Sequence, residues 1–118
     1  MILFNNQEEV EIPFEVSIPE GTISYEWVAD VVTRVTASQL ECDSESITLD
    51  KRFQKDLNAD SLDIVEINMK IEKMLNIDVP DYCLGLIITV DDAARIIYYI
   101  INGEPLPWDK DKKKLIYD

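Results

Sequence analysis

The residues best placed to support chemistry lie around Ser61, where a polar loop meets an apolar run. Asp60 and Ser61 end the loop, and a run with the three-and-four spacing of a helix begins at Leu62. This pattern predicts an exposed hydroxyl in the first turn of a helix. Unpaired backbone N–H groups and the helix dipole favour an anion there. Ser61 is therefore placed to be chemically modified.

Residues 56–66 read DLNADSLDIVE. This segment resembles the prosthetic-group site of acyl carrier proteins, whose pattern is D-L-G-A-D-S-L-D-x-V-E. In that family the serine carries 4'-phosphopantetheine through a phosphodiester, so the resemblance implies that Ser61 is the attachment site and 4'-phosphopantetheine the cofactor. One motif position departs from the family, because Asn58 stands where glycine is normal.

The resemblance runs without a gap from about Val28 to about Ile101. Residues 77–81 (IDVPD) resemble the I-x-I-P-D that follows the family's second helix. Residues 89–93 (TVDDA) resemble the T-V-x-D-A that opens its last helix. The implied fold class is all-α: an acyl-carrier-like four-helix bundle with three longer helices and one short helix.

The resemblance also implies a set of docking residues. They match the positions with which carriers contact phosphopantetheinyl transferases and the acyl-loading and acyl-processing enzymes with basic docking surfaces: Asp60, Leu62, Asp63, Glu66, Met69 and Glu72. Helical periodicity supports this surface, because Leu62 and Met69 point away from the stripe formed by Ile64, Ile67 and Ile71. Apolar side chains on an otherwise polar face predict contacts with partner proteins.

Composition argues against several other functions. The chain has 24 acidic and 11 basic residues, a net charge of −13 and no histidine. So acidic a protein repels nucleic acid and anionic membranes. Missing histidine removes the commonest general base and metal ligand near neutral pH. We find no catalytic residues, no metal-ligand spacing and no glycine-rich phosphate loop, and we predict that the chain is not an enzyme.

The two cysteines and the apolar runs predict the cellular setting. Cys42 and Cys83 have no motif around them and are interpreted as reduced thiols, with Cys83 serving packing. No signal peptide is visible at the N-terminus. The longest nearly apolar run, residues 84–90, is too short to span a bilayer. We expect a soluble, cytoplasmic monomer without membrane insertion.

The chain divides into an N-terminal arm (1–23), a bundle (24–103) and a C-terminal tail (104–118). Five apolar residues alternate with polar residues or proline along the arm: Val10, Ile12, Phe14, Val16 and Ile18. This period of two predicts an extended segment, and Pro13 and Pro19 limit it to an edge strand or a strap along the bundle. We favour a strap that covers the core over a docking strip for a dedicated enzyme.

Capping signals predict the helix bounds. Ser24 is the predicted N-cap of a helix that ends near Gln39. Asp60 and Asp63 form the predicted capping box of a helix over residues 61–75. A short helical segment follows at residues 81–86. The last helix has a predicted capping box of Thr89 with Asp92 and ends at Asn102-Gly103. Apolar anchors are expected to pin the long loop before Ser61 to the bundle: Ile47, Leu49, Phe53 and Leu57.

Lys70 and Lys73 interrupt the acidic face of the second helix, where the family generally has a small residue and an acid. This departure favours a specialised carrier that presents acyl thioesters in a fatty-acid, specialised-lipid or secondary-metabolite pathway. Two alternatives stay open: an aminoacyl or peptidyl carrier, and an unmodified interaction module with the carrier fold. The Ala59-Asp60 pair resembles acyl carriers more than the glycine-rich version usual in peptidyl carriers.

Overall fold

The computed structural model describes residues 11–109 and 114–115. Three α-helices make up most of this part: α1 (Tyr25–Leu40), α2 (Ser61–Leu75) and α3 (Val90–Ile101). Two 3-10 helices lie at Ser44–Ser46 and Asp81–Leu86. The predicted all-α bundle is confirmed, with Asp81–Leu86 as its short fourth helix. That helix has 3-10 geometry, which is frequent in short connecting segments.

Helix α1 is the central helix and packs against both α2 and α3. Its buried face is made largely of valines, and Val28, Val32 and Val35 are fully buried. These β-branched residues are weak helix formers, so packing against the other helices stabilises α1 more than intrinsic propensity does. The core therefore lies between α1 and the two helices that contact it.

The helix ends follow the predicted signals. The Ser24 hydroxyl accepts the Trp27 N–H at 3.1 Å. Thr89 and Asp92 form a complete capping box at the start of α3. Gly103, with a φ of 70°, supplies the left-handed residue beyond α3. Helix α1 ends one residue later than predicted, at Leu40.

Backbone hydrogen bonds attach the long loop between α1 and α2 to the start of α3. The Phe53 N–H donates to the Ile88 carbonyl at 2.9 Å, and the Asp91 N–H donates to the Leu49 carbonyl at 2.9 Å. The Phe53 side chain is buried in the core. The four predicted anchors all lie in the core or pack against it: Ile47, Leu49, Phe53 and Leu57. This long loop is thus an ordered part of the bundle.

Residues 11–23, the described part of the arm, form no strand and bend at residues 13–14 and 20–22. Phe14 and Val16 pack against the core. The Arg34 guanidinium lies 4.0 Å from the centroid of the Phe14 ring. The arm also borders the C-terminal half of α2, across a groove of about 250 Å³ lined by Lys73 and Met74. The choice between a strap and a docking strip stays a prediction. Val10 lies outside the described residues.

The tail contains a short antiparallel ladder that was not predicted. Strand β1 (Trp108–Asp109) pairs antiparallel with β2 (Lys114–Leu115). Before it, Leu106 packs against the core. No helix in the described ranges combines the length and apolar character that crossing a bilayer requires.

Candidate functional site

Ser61 is the first residue of α2 and is exposed. Asp60 is the N-cap, and its carboxylate accepts the Asp63 N–H at 2.8 Å. The Asp63 carboxylate in turn accepts the Asp60 N–H at 3.1 Å. This predicted capping box is therefore confirmed, and it fixes the backbone on both sides of Ser61. The helix start leaves Ser61 exposed, at the end of the helix that favours an anion.

The loop before Ser61 is held by a left-handed turn at Asn58. Asn58 has a φ of 58°, a conformation that glycine adopts freely and asparagine more readily than most other residues. Ala59 is buried, and its N–H donates to the Phe53 carbonyl at 2.8 Å. The one departure from the motif thus keeps the backbone geometry that the glycine pattern indicates.

An ion pair between Arg52 and Asp56 lies in the same loop. The Arg52 Nε and Nη2 atoms lie 3.1 and 3.3 Å from the two carboxylate oxygens of Asp56. The Arg52 N–H also donates to Asp56, at 2.8 Å. Hydrogen bonding from the Arg52 side chain holds the pKa of the Asp56 carboxyl below its ordinary value. Because both side chains are partly exposed to solvent, the ion pair contributes little to the stability of the fold and serves mainly to organise the loop.

The two apolar side chains predicted on the outward face of α2 differ in how exposed they are. Leu62 is 63% exposed, while Met69 is half-buried and lies outside the group of side chains that pack against the core. Ile67 and Ile71 are buried on the opposite face, and Ile64 is partly buried beside them. Leu62 is therefore the most accessible apolar side chain of the predicted docking set.

Gln39, at the end of α1, connects three polar side chains of α2. Its Nε2 donates to Glu66 at 2.7 Å and to Asp63 at 3.2 Å, and its Oε1 accepts from Lys70 Nζ at 2.7 Å. The Asp60 N–H and then Gln39 lower the pKa of the Asp63 carboxyl. These contacts of Gln39 could not be predicted from the sequence, because they depend on how α1 and α2 pack. The network fixes Asp63 and Glu66 on the face that carries Leu62.

Glu72 differs from the other predicted docking residues. Its carboxylate accepts the Val79 N–H at 2.7 Å, which ties α2 to the segment that follows it. Burial raises the pKa of Glu72, and the negative charges of Asp78 and Asp81 act in the same direction. The structure thus gives Glu72 a structural contact, and its docking role stays a prediction.

A cleft of about 350 Å³ opens beside the start of α2. Its apolar walls include Phe53, Ile87 and Ile64, which is one helical turn beyond Ser61. Arg52 and Lys55 lie at its polar side. The cleft is connected to the helix of the exposed serine through Ile64, while Ser61 itself does not line it.

The cysteines lie apart from these features in different environments. Cys83 is fully buried in the core, and burial raises the pKa of its thiol. Cys42 is exposed, just beyond the end of α1. A buried thiol with a raised pKa is a poor nucleophile, which agrees with a packing role for Cys83.

The structure shows a small helical bundle with an exposed serine at the start of α2, and comparison with known proteins identifies its family. Residues 30–95 match the family model described as the phosphopantetheine attachment site. An acyl carrier protein of Onion yellows phytoplasma (strain OY-M) is 40% identical over 78 residues, covering 66% of this chain and 99% of that protein.

Two further relatives extend the comparison. An acyl carrier protein of Phytoplasma australiense is 40% identical over 70 residues, covering 59% of this chain and 92% of that protein. One of Prochlorococcus marinus (strain MIT 9515) is 39% identical over 75 residues, covering 64% and 94% respectively. The chain belongs to the acyl carrier protein family, whose non-catalytic members bear 4'-phosphopantetheine.

The residues around Ser61 fit that group. An exposed hydroxyl at the first position of α2 accommodates a phosphodiester, because the helix N-terminus favours its negative charge.

Proposed function

We propose that Ser61 carries the 4'-phosphopantetheine arm and that the protein presents acyl groups, bound as thioesters, to successive enzymes. The observation that supports this most directly is the exposed serine at the start of α2, fixed by the Asp60–Asp63 capping box. The thiol at the end of the phosphopantetheine arm is the group that forms the thioester. The protein supplies a fixed attachment point and a surface for partners to grip.

The outward face of α2 is proposed as the surface that a phosphopantetheinyl transferase and the acyl-handling enzymes contact. Leu62 is its exposed apolar residue, and Asp63 and Glu66 are held beside it by Gln39. Carboxylates facing a basic groove speed association by electrostatic steering, and a small contact area allows rapid release. Weak, fast docking suits a carrier that visits several enzymes in turn.

A specialised pathway fits the charge of this face better than general fatty-acid synthesis. Lys70 is part of the Gln39 network, so its positive charge is held on α2 close to the proposed docking residues. A groove that is basic throughout meets repulsion there as well as attraction. We therefore propose a carrier for a restricted set of enzymes, with an acyl cargo.

Mass spectrometry tests the attachment site. Incubation with coenzyme A and a promiscuous phosphopantetheinyl transferase should add one phosphopantetheine to the wild-type chain and none to Ser61→Ala. Peptide mapping should place the group on Ser61. A wild-type chain that stays unmodified with a transferase active on other carriers would indicate an unmodified interaction module instead.

Loading kinetics test the docking surface. Leu62→Ala should lower kcat/KM for transferase loading about three- to tenfold, because an exposed apolar contact near the centre of an interface is lost. The free energy of unfolding should change by less than about 0.5 kcal/mol, as is usual for exposed positions. Ile18→Ala, which changes another exposed apolar residue, is the matched control and should load at the wild-type rate. Equal loading of all three proteins would contradict the proposed surface.

A further inference from the structure

A second surface borders the cleft beside Ser61, and its charge is opposite to that of the whole chain. Residues 51–56 contain three basic residues and one acid, in a protein with a net charge of −13. Arg52 and Lys55 line the cleft together with the apolar Ile88. We refer to Arg52, Lys55 and Ile88 as the basic–apolar patch.

Ile88 is an exposed side chain on a fixed backbone. Its carbonyl accepts the Phe53 N–H at 2.9 Å, and its own N–H donates to Asp92 at 3.0 Å. Yet 61% of the residue is exposed, although burying an isoleucine is favourable by about 1.5–3 kcal/mol. An apolar group that is already held in position loses little entropy on binding, which makes it a suitable anchor in an interface.

Lys55 carries the positive charge of the patch that is not neutralised by an ion pair with another described residue. Arg52 is paired with Asp56 within the loop. Lys55 is exposed and takes no part in the ion pairs that join Arg34 to Asp30, Arg52 to Asp56 and Arg95 to Asp91. A charge without a partner in the fold is available to an acidic group on another molecule.

The patch shares a cleft with α2, the helix that begins at Ser61. Ile64 forms a wall of the same cleft and is only three positions beyond Ser61. A specific protein interface usually covers about 800 Å² on each partner, and a weak one somewhat less. One face of a four-turn helix supplies only part of that area. An enzyme that contacts Ser61 and the side of α2 that carries Ile64 can also reach Lys55 and Ile88, because all three residues line one cleft.

We propose that the basic–apolar patch is a second docking surface, which binds a partner enzyme whose groove has an apolar pocket flanked by acidic side chains. The part of this partner's surface that faces α2 is basic, and the part that faces Lys55 is acidic. Lys55 repels an enzyme whose groove is basic throughout, so the patch selects among partners by repulsion as well as attraction. The inference rests on the proposed function, because it takes Ser61 as the point that enzymes reach.

The test uses a promiscuous transferase with a uniformly basic carrier groove and a set of its single Lys→Glu or Arg→Glu groove variants. Loading is measured as kcat/KM at low salt for the wild-type carrier and for Lys55→Glu. We expect Lys55→Glu to load about threefold or more faster with the unmodified transferase, because a repulsive charge becomes attractive. With at least one groove variant, the wild-type carrier should load faster than Lys55→Glu. A double-mutant cycle measures this reversal as a coupling energy between Lys55 and the altered groove residue.

Matched controls separate the patch from net charge. Lys55→Gln and Ser44→Glu each make the carrier more negative by one unit, and Ser44 is exposed and outside the cleft lining. Only Lys55→Gln should change loading by more than about twofold. Ile88→Ser should slow loading about three- to tenfold, since it removes the apolar anchor. Circular dichroism melting shows whether each variant is folded.

The other outcomes overturn the inference. If Lys55→Glu loads within twofold of wild type with every transferase variant, the charge of Lys55 does not select among partners. If Ile88→Ser loads normally but changes the hydrolysis rate of an attached acyl thioester, the patch shelters cargo rather than a partner. Failure of the wild-type chain to load on Ser61 is distinct from both, because it contradicts the proposed function itself.

Discussion

At the scale of single residues, Asn58 shows how a motif keeps its geometry while its sequence changes. The position requires a left-handed backbone, with a φ of 58°. For most residues that conformation costs about 1–2 kcal/mol, whereas glycine adopts it freely and asparagine at reduced cost. The departure from the family pattern therefore stays within the chemistry that the turn permits, and Ser61 keeps its place.

Substitutions at Asn58 make this argument measurable. Asn58→Ala should lower the free energy of unfolding by about 1 kcal/mol, because alanine is strained in the left-handed region. Asn58→Gly should leave it within about 0.5 kcal/mol of wild type, as relief of strain and loss of chain entropy offset each other. Chemical denaturation measures both. Equal destabilisation by the two variants would show that the asparagine side chain matters more than the backbone conformation.

At the scale of elements, the sequence predicted the helices best where the signals are local. The capping boxes at Asp60 and Thr89 depend on residues only three positions away, and both are present. The exposed Ser61 follows from the first of them. The Gln39 network and the cleft beside Ile64 were not predictable in this way, because they join residues far apart in sequence. Packing between α1, α2 and the long loop determines them.

Helix α2 has two acids with opposite pKa shifts, which gives its stability a pH dependence that can be tested. Burial raises the pKa of Glu72, so its contribution is fully present below its ordinary pKa of about 4.3 and is lost as pH rises through the raised value. Glu72→Gln keeps an acceptor for the Val79 N–H without the charge. The melting temperature of this variant relative to wild type should therefore increase between about pH 4 and about pH 7.

Asp63 supplies the control of opposite sign. Its pKa is lowered by the Asp60 N–H and Gln39, so its contribution is present above its ordinary value and is lost as pH falls through the lowered one. Asp63→Asn should be less stable than wild type near neutral pH and should approach it on acidification. A difference between Glu72→Gln and wild type that does not vary with pH would contradict the direction assigned to Glu72.

At the scale of the whole molecule, the acidic charge is unevenly distributed. The long loop has a basic segment at residues 51–56, and Lys70 and Lys73 lie on α2. Net charge alone predicts attraction to any basic partner, whereas this arrangement favours partners that match it locally. Composition was sufficient to disfavour nucleic acid as a partner, but the distribution of charge around Ser61 required the fold.

The arm adds a last feature that involves the whole molecule, because it extends the core beyond the bundle. Phe14 packs against the core beneath the Arg34 guanidinium, while Ile18 is 42% exposed on the same segment. If the arm is a strap, Phe14→Ala should lower the free energy of unfolding by about 1–3 kcal/mol through lost burial and the lost cation–π contact. Ile18→Ser should change it by less than about 0.5 kcal/mol.

Neither variant should alter the rate of loading at a temperature where both are folded. Denaturation curves and transferase kinetics on the same samples measure these effects. Slower loading of Ile18→Ser at unchanged stability would instead identify the arm as a docking strip for partner enzymes.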